Sequence, residues 1–272
     1  MYPYHVTKSY IKQITLAVGD LDVAQDFYHT VIQLDILDRT EDRSVLGQHG
    51  KPLVTLVQSN GNHVLQEGLY HIAFLLKNET QLANWLLLNR EYDRFVGASH
   101  HGVSKALYLE DPDGNGIEVY TDVDDTLWNR NGEEIRMVTE PLDIEELLRH
   151  QSDDLTFDVL IGHLHLQTKD VDRAVAFYQM LGFDVTFDLS SAMFLSFNRY
   201  HHHIAFNQWN RYGMAEHDSD TTDLRSYEIW YASKDAFHQV KRNLDEQHIP
   251  YRQTGDIIVV QDPIGIDVML SH

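Results

Sequence analysis

The chain has 272 residues, 43% of them hydrophobic, and its 42 acidic residues against 21 basic ones give a formal net charge of −21. That length builds one large domain or two compact ones, and so acidic a surface repels phosphate backbones and anionic lipid, which excludes nucleic acid and membranes as expected partners. The absence of cysteine rules out disulfides, thiolate metal sites and a cysteine nucleophile and fits a reducing cytosol, while no apolar run nears the roughly 20 residues of a membrane span.

The segment Met1 to His5 has no basic stretch followed by an apolar one, so no signal peptide is expected and the expected location is cytoplasmic. From there four segments open alike. The first is the strand-like run Gln13-Ile14-Thr15-Leu16-Ala17-Val18. Asp20 follows as a helix cap, and Ala24, Phe27, Tyr28 and Val31 fall on one helical face. The second opens at His71-Ile72-Ala73-Phe74-Leu75-Leu76, with Asn78 as cap and Leu82, Trp85 and Leu86 on the face. The third opens at His163-Leu164-His165-Leu166-Gln167-Thr168. Its cap is Asp170, and Ala174, Phe177, Tyr178 and Leu181 repeat the offsets of the first. The fourth opens at Glu228-Ile229-Trp230-Tyr231-Ala232-Ser233, with Asp235 as the expected cap. There Phe237, Val240 and Leu244 are out of register, which makes it the loosest copy.

Each helix precedes two or three short strands, such as Phe183 to Phe187, Ala192 to Phe197 and His203 to Phe206. The unit is strand, helix, then an antiparallel meander. The fold class is therefore α+β: four βαβββ modules forming two open β-barrels, each of about eight strands around a pocket for one small ligand. Modules one and two occupy residues 1–121, and modules three and four occupy residues 159–272. Residues 122–158 are a polar, acidic connector with one amphipathic piece around Ile144 to Leu148.

The 17 histidines invite a search for metal ligands. The most informative stretch runs from His101 to Glu118. Lys105 to Leu109 is a strand, Asp111-Pro112-Asp113-Gly114 a tight turn, and Ile117 to Tyr120 the returning strand. Alternation puts Glu118 and Tyr120 on the face opposite Ile117 and Val119. With the aliphatic pair under a helix, Glu118 faces the barrel interior, where a carboxylate needs a cation or a proton.

The spacing of His101, Leu107-Tyr108, Asp111-Pro112, Gly114 and Glu118 resembles the signature of class I extradiol dioxygenases of the vicinal oxygen chelate superfamily, catechol 2,3-dioxygenases in particular. The resemblance extends through Ile161-Gly162-His163-Leu164-His165-Leu166 and Tyr200-His201-His202-His203-Ile204-Ala205-Phe206; Ser99, two before His101, departs from it. It implies Glu118 and His71 as metal ligands, with a second histidine ligand from the first strand of the paired module. It implies that Tyr108 and His101 hydrogen-bond the substrate. It implies His202 as the acid/base, with His203 and His201 as alternatives; the three alternate faces, so at most two meet one pocket. The implied metal is Fe(II), with Mn(II) also suited to the ligands. The implied reactants are a small aromatic diol and O2, with the ring opened beside the diol, and the chain is compatible with a homo-oligomer.

Position 13 is glutamine and position 228 glutamate, whereas module three has His163 at the equivalent place. The full set of His71, His163 and Glu118 thus requires module two to pair with module three, leaving module one to pair with module four. Gln13, Glu228 and Asp267 then read as a relic rather than a second metal site. Two other classes share the scaffold: a glyoxalase-like metal-dependent isomerase, and a non-catalytic binding protein of the bleomycin-resistance type.

Overall fold

The computed structural model describes residues 8–272; the leader reading of Met1 to His5 lies outside them. Module one runs β1 (Tyr10–Val18), α1 (Leu21–Thr30), β2 (Asp35–Arg39), β3 (Arg43–Gln48) and β4 (Lys51–Gln58). Module two runs β5 (Gly68–Leu76), α2 (Glu79–Asn89), β6 (Phe95–His100), β7 (Ser104–Glu110) and β8 (Gly116–Asp122). The connector carries a hairpin of β9 (Asn129–Asn131) and β10 (Glu134–Arg136), then β11 (Glu140–Pro141) and α3 (Ile144–Leu148). Module three runs β12 (Val159–Gln167), α4 (Val171–Met180), β13 (Asp184–Asp188), β14 (Ala192–Ser196) and β15 (Ile204–Asn207). Module four runs β16 (Leu224–Trp230), α5 (Lys234–Glu246), β17 (Tyr251–Thr254), β18 (Ile257–Gln261) and β19 (Asp267–Ser271).

Asp20, Asn78 and Asp170 cap their helices, each side chain accepting from backbone N–H groups of the first turn. The fourth cap is Ser233 rather than Asp235, which sits inside the first turn. Counted from Ser233, Phe237, Val240 and Leu244 fall at the offsets of Ala24, Phe27 and Val31 counted from Asp20. The fourth helix is therefore in register, and only the stretch from Glu228 to its cap is shorter than that from Gln13 to Asp20.

Within every module the first and last strands lie side by side and parallel. Modules one and four join through antiparallel β1 and β16, with Gln13 opposite Glu228, into an eight-stranded sheet. Modules two and three join through β5 and β12 into a nine-stranded sheet that takes β11 from the connector as its edge. Neither sheet closes into a barrel.

One hydrophobic cluster runs through both sheets and includes Phe27, Trp85, Phe177 and Phe237 from the four long helices. Phe27-Tyr28 and Phe177-Tyr178 are core pairs, as their spacing predicts, and the tyrosines also tie sequential modules together. Tyr28 Oη donates to Asp111 Oδ2 at 2.9 Å and Tyr178 Oη to Asp262 Oδ2 at 2.8 Å, so each helix grips the Asp-Pro turn of the following module. Burial pushes the Asp111 carboxyl up from its usual 3.8 to about 6, against hydrogen bonds from Asn115 and Tyr28 that favour the charge. Among the described residues no helix is long and apolar enough to cross a membrane.

Candidate active site

The site lies on three adjacent strands of the nine-stranded sheet, in the order β8, β5, β12. Ala73 of β5 stands opposite both Glu118 of β8 and His163 of β12, so the three form a row across the sheet. The alanine leaves the space that its longer neighbours fill. Two residues back along β5, on the same face, comes His71, with His165 of β12 opposite it. Gly162 lets this happen: a Cβ there would lie 1.9 Å from Tyr120 Oη, so any larger residue would displace the tyrosine.

The three donors converge. His71 Nε2 lies 3.1 Å from Glu118 Oε2, His163 Nε2 lies 3.3 Å from the same oxygen, and the two Nε2 atoms are 3.3 Å apart. Ligand bonds of about 2.1 Å put neighbouring donors about 3.0 Å apart on an octahedral face and about 3.4 Å apart on a tetrahedral one. The triangle falls between these values. All three residues are buried. Two imidazole lone pairs and a carboxylate facing one another out of water repel unless a cation or proton sits among them. The donor set and its spacing thus fit a divalent metal ion. Burial raises the Glu118 carboxyl, but the neighbouring imidazoles of His163 and His71 more than reverse this and hold it well below the usual range. Burial brings His163 down to about 4, with Glu118 pulling the other way, so its ring is neutral, as a ligand must be.

The other sequence-predicted residues separate. Tyr108, His101 and His202 line the same cavity as the triangle, and so does Ser99. His101 Nδ1 donates to the Val138 carbonyl at 2.7 Å, which leaves Nε2 as acceptor for the Tyr108 hydroxyl, also at 2.7 Å. Burial and the nearby Glu118 carboxylate hold the Tyr108 hydroxyl well above its usual pKa. The His202 ring lies with its centroid 4.0 Å from that of His163. His203 is not brought to the cavity. Its Nδ1 pairs with Ser196 Oγ and Phe197 N, and its ring packs on Phe197 and Tyr200. The triplet precedes β15 rather than forming part of it, so strand alternation does not govern it.

Sequence reasoning missed three features. His201, considered only as an alternative base, does not line the cavity. It joins His202 to Asp122 instead: its Nε2 is 3.1 Å from Asp122 Oδ1 and its Nδ1 is 2.7 Å from His202 Nδ1. The Tyr200 hydroxyl holds the same carboxylate at 3.0 Å. An ionised Asp122 only accepts, so His201 donates from Nε2 and accepts at Nδ1; His202 then donates from Nδ1 and keeps its Nε2 lone pair. His165 also lines the cavity, with its ring 4.9 Å from that of His71; the pattern His163-x-His165 on one strand carried that signal. The connector, finally, is a wall. Its Met137, Val138 and Thr139 line the cavity, while Trp128 and Ile135 pack with Val103 and Tyr200.

At the equivalent place in the other sheet, Glu228 is satisfied by Lys12 Nζ at 2.7 Å, by Gln13 Nε2 at 2.7 Å and by the Ser271 hydroxyl. An ammonium group takes the place of a metal ion there. Asp267 pairs with Arg252 instead, so Gln13, Glu228 and Asp267 do not assemble a ligand set.

The cavity encloses about 650 Å³, within the usual range for a small-molecule site of about 300–1,000 Å³. Residues 10–119 and 160–270 match the model of the Glyoxalase/Bleomycin resistance protein/Dioxygenase superfamily. A catechol-2,3-dioxygenase of Bacillus subtilis (strain 168) is 32% identical over 270 residues, covering 94% of this chain and 95% of that one. Among solved structures, a putative dioxygenase from B. subtilis covers 97% of this chain and 85% of its own, with a TM-score of 0.67 at 14% identity. Glyoxalase I from Zea mays covers 96% of this chain and 92% of its own, with a TM-score of 0.58 at 16% identity. At these identities the two structures show the shared fold alone.

Proposed function

The chain belongs to the glyoxalase/bleomycin resistance/dioxygenase superfamily, and on that premise we propose that it is an Fe(II)-dependent extradiol dioxygenase that cleaves a catechol-type ring with O2. One observation carries the reading: the triangle of His71, His163 and Glu118 opens on a cavity that also holds His202 and the His101–Tyr108 pair. A bound divalent metal supplies Lewis acidity to the diol and a meeting place for the two reactants.

The chain's own residues do the rest. His71, His163 and Glu118 would hold the ion at the cavity wall, where substrate can reach it. His202 Nε2 takes a proton from the diol and can return it later, and Asp122 stabilises the resulting imidazolium through His201. Tyr108, protonated at neutral pH, is oriented by His101 beside the Glu118 carboxylate, and its oxygen accepts a hydrogen bond from a substrate hydroxyl. The deep walls, with Phe194 and Leu109, keep bulk water from the reacting ring.

The test is metal content of protein purified without air, together with oxygen uptake and formation of the coloured ring-opened product from catechol. Near-stoichiometric iron with product supports the reading. Zinc or nickel without oxygen uptake would replace it with an isomerase, and ligand binding with no metal, even after iron is added, with a binding protein.

A further inference from the structure

Outward from the ligand triangle the cavity becomes a path of rings. The ring of His71 meets that of His165 at 4.9 Å between centroids, and His165 meets Tyr70 at 5.1 Å and Trp209 at 5.4 Å. Tyr70 and Trp209 meet edge to face at 5.2 Å. Trp209 is 48% exposed, so the path ends at the mouth, where Leu65, Val96 and Val138 also line the cavity with exposed side chains. Exposed apolar surface concentrated at one opening marks a binding surface rather than chance.

The charges point the same way. Among the described residues no lysine or arginine lines the cavity. Its carboxylates beyond Glu118 are Glu110 and Asp223, and Asp223 Oδ1 is already taken by the backbone N–H groups of Leu69 and Leu224. An anionic substituent entering here loses water, finds no lysine or arginine and meets the field of a chain with net charge −21. An uncharged apolar one finds rings to stack on, at no such cost. A bare dihydroxybenzene fills only a small part of the 650 Å³.

We propose that the substrates are catechols bearing an uncharged apolar substituent, aryl or alkyl, with the diol at the triangle and the substituent along Tyr70 and Trp209. This rests on the ring-cleavage reading for what happens next, but not for what binds. The experiment is anaerobic calorimetric titration of the metal-loaded protein with catechol, 3-phenylcatechol and 3,4-dihydroxybenzoate, and oxygen uptake with the same three. The phenyl compound binds at least about tenfold more tightly than catechol, as expected for a buried ring, and the carboxylated compound at least about tenfold more weakly. Trp209→Ala shrinks the phenyl-to-catechol ratio towards one, and Trp209→Arg raises affinity for the carboxylated ring. The proposal is overturned if the carboxylated ring binds as well as the phenyl one, or if Trp209→Ala leaves the ratio unmoved. Tight, selective binding with no oxygen uptake keeps the ligand class and removes the dioxygenase reading; oxygen uptake that favours the carboxylated ring does the reverse. Failure of all three to bind removes both.

Discussion

Replacing Asp122 by asparagine tests the chain of hydrogen bonds behind His202. In the parent, an acceptor-only carboxylate fixes His201 as donor at 3.1 Å, and His201 in turn accepts at 2.7 Å from His202 Nδ1. Asparagine keeps the shape but removes the charge. A hydrogen bond to a charged partner contributes about 1.5–3 kcal/mol and a neutral one about 0.5–1.5. The loss of about 1–1.5 kcal/mol falls on the state in which His202 carries its extra proton, so kcat drops about five- to twelvefold. If the amide instead presents its N–H to His201, both histidines reverse their tautomers and His202 Nε2 becomes a donor. The base is then gone and the loss approaches the 10²–10⁴-fold typical of general-base removal. The assay is steady-state oxygen uptake with catechol, alongside metal content, which stays at the parent level because Asp122 touches none of the three ligands. A variant with parental metal content and a kcat within about twofold of the parent would show that the chain does not act on His202.

Three further outcomes follow from the same contacts. Glu118→Ala loses bound metal and oxygen uptake together; an iron content equal to the parent's, measured after dialysis, would move the site elsewhere. Lys12→Met leaves the buried Glu228 carboxylate with only an amide and a hydroxyl as donors. Because Lys12 is itself 39% exposed, the cost falls below that of a fully buried pair, about 1–3 kcal/mol in urea unfolding, and an unchanged midpoint would refute the replacement of a metal ion by ammonium. Tyr28→Phe removes a donor to Asp111, whose folded pKa is raised to about 6. A raised carboxyl contributes stability that is fully present below its unfolded value and is lost as pH rises through the folded one. Removing a donor to the ionised form widens that loss, so the variant is weaker than the parent by about 1.5–3 kcal/mol at pH 8 and by about 0.5–1.5 at pH 5; equal losses at both pH values would contradict the coupling.

Much of the architecture was legible because the repeats carry it. The offsets from Asp20, Asn78 and Asp170 gave three helices and their buried faces. The absence of histidine at positions 13 and 228 predicted which modules share a sheet, and β5 does pair with β12. The fourth helix is in register but its cap is Ser233, because β16 ends only two residues after Glu228 whereas β1 runs five past Gln13. His71 and Glu118 could be named because the family resemblance implies them, and His163 because it holds the equivalent place in its repeat; strand alternation added only that Glu118 faces inward. His203 could not be placed that way, since the triplet lies before the strand and local turns decide its directions. The relay through His201 to Asp122 spans 79 residues, a contact no periodicity announces. The connector's role as a cavity wall was hidden by its polar composition, because a wall needs backbone carbonyls such as that of Val138 as much as apolar side chains.

The pairing of modules two with three inside one with four gives the chain the order of nested parentheses. His71 and His163 are 92 residues apart, whereas Gln13 and Glu228 are 215 apart. During synthesis at about 5–20 residues per second, β1 therefore waits roughly 10–40 s for β16 to leave the ribosome. Throughout that time one edge of β1 is a bare template for strand addition. The nine-stranded sheet can assemble before the outer one has all its strands. An N-terminal fragment ending before β16 lacks the partner of its first strand, so a truncated product carries an open pairing edge and is a natural seed for aggregation or for exchange of β16 between two copies.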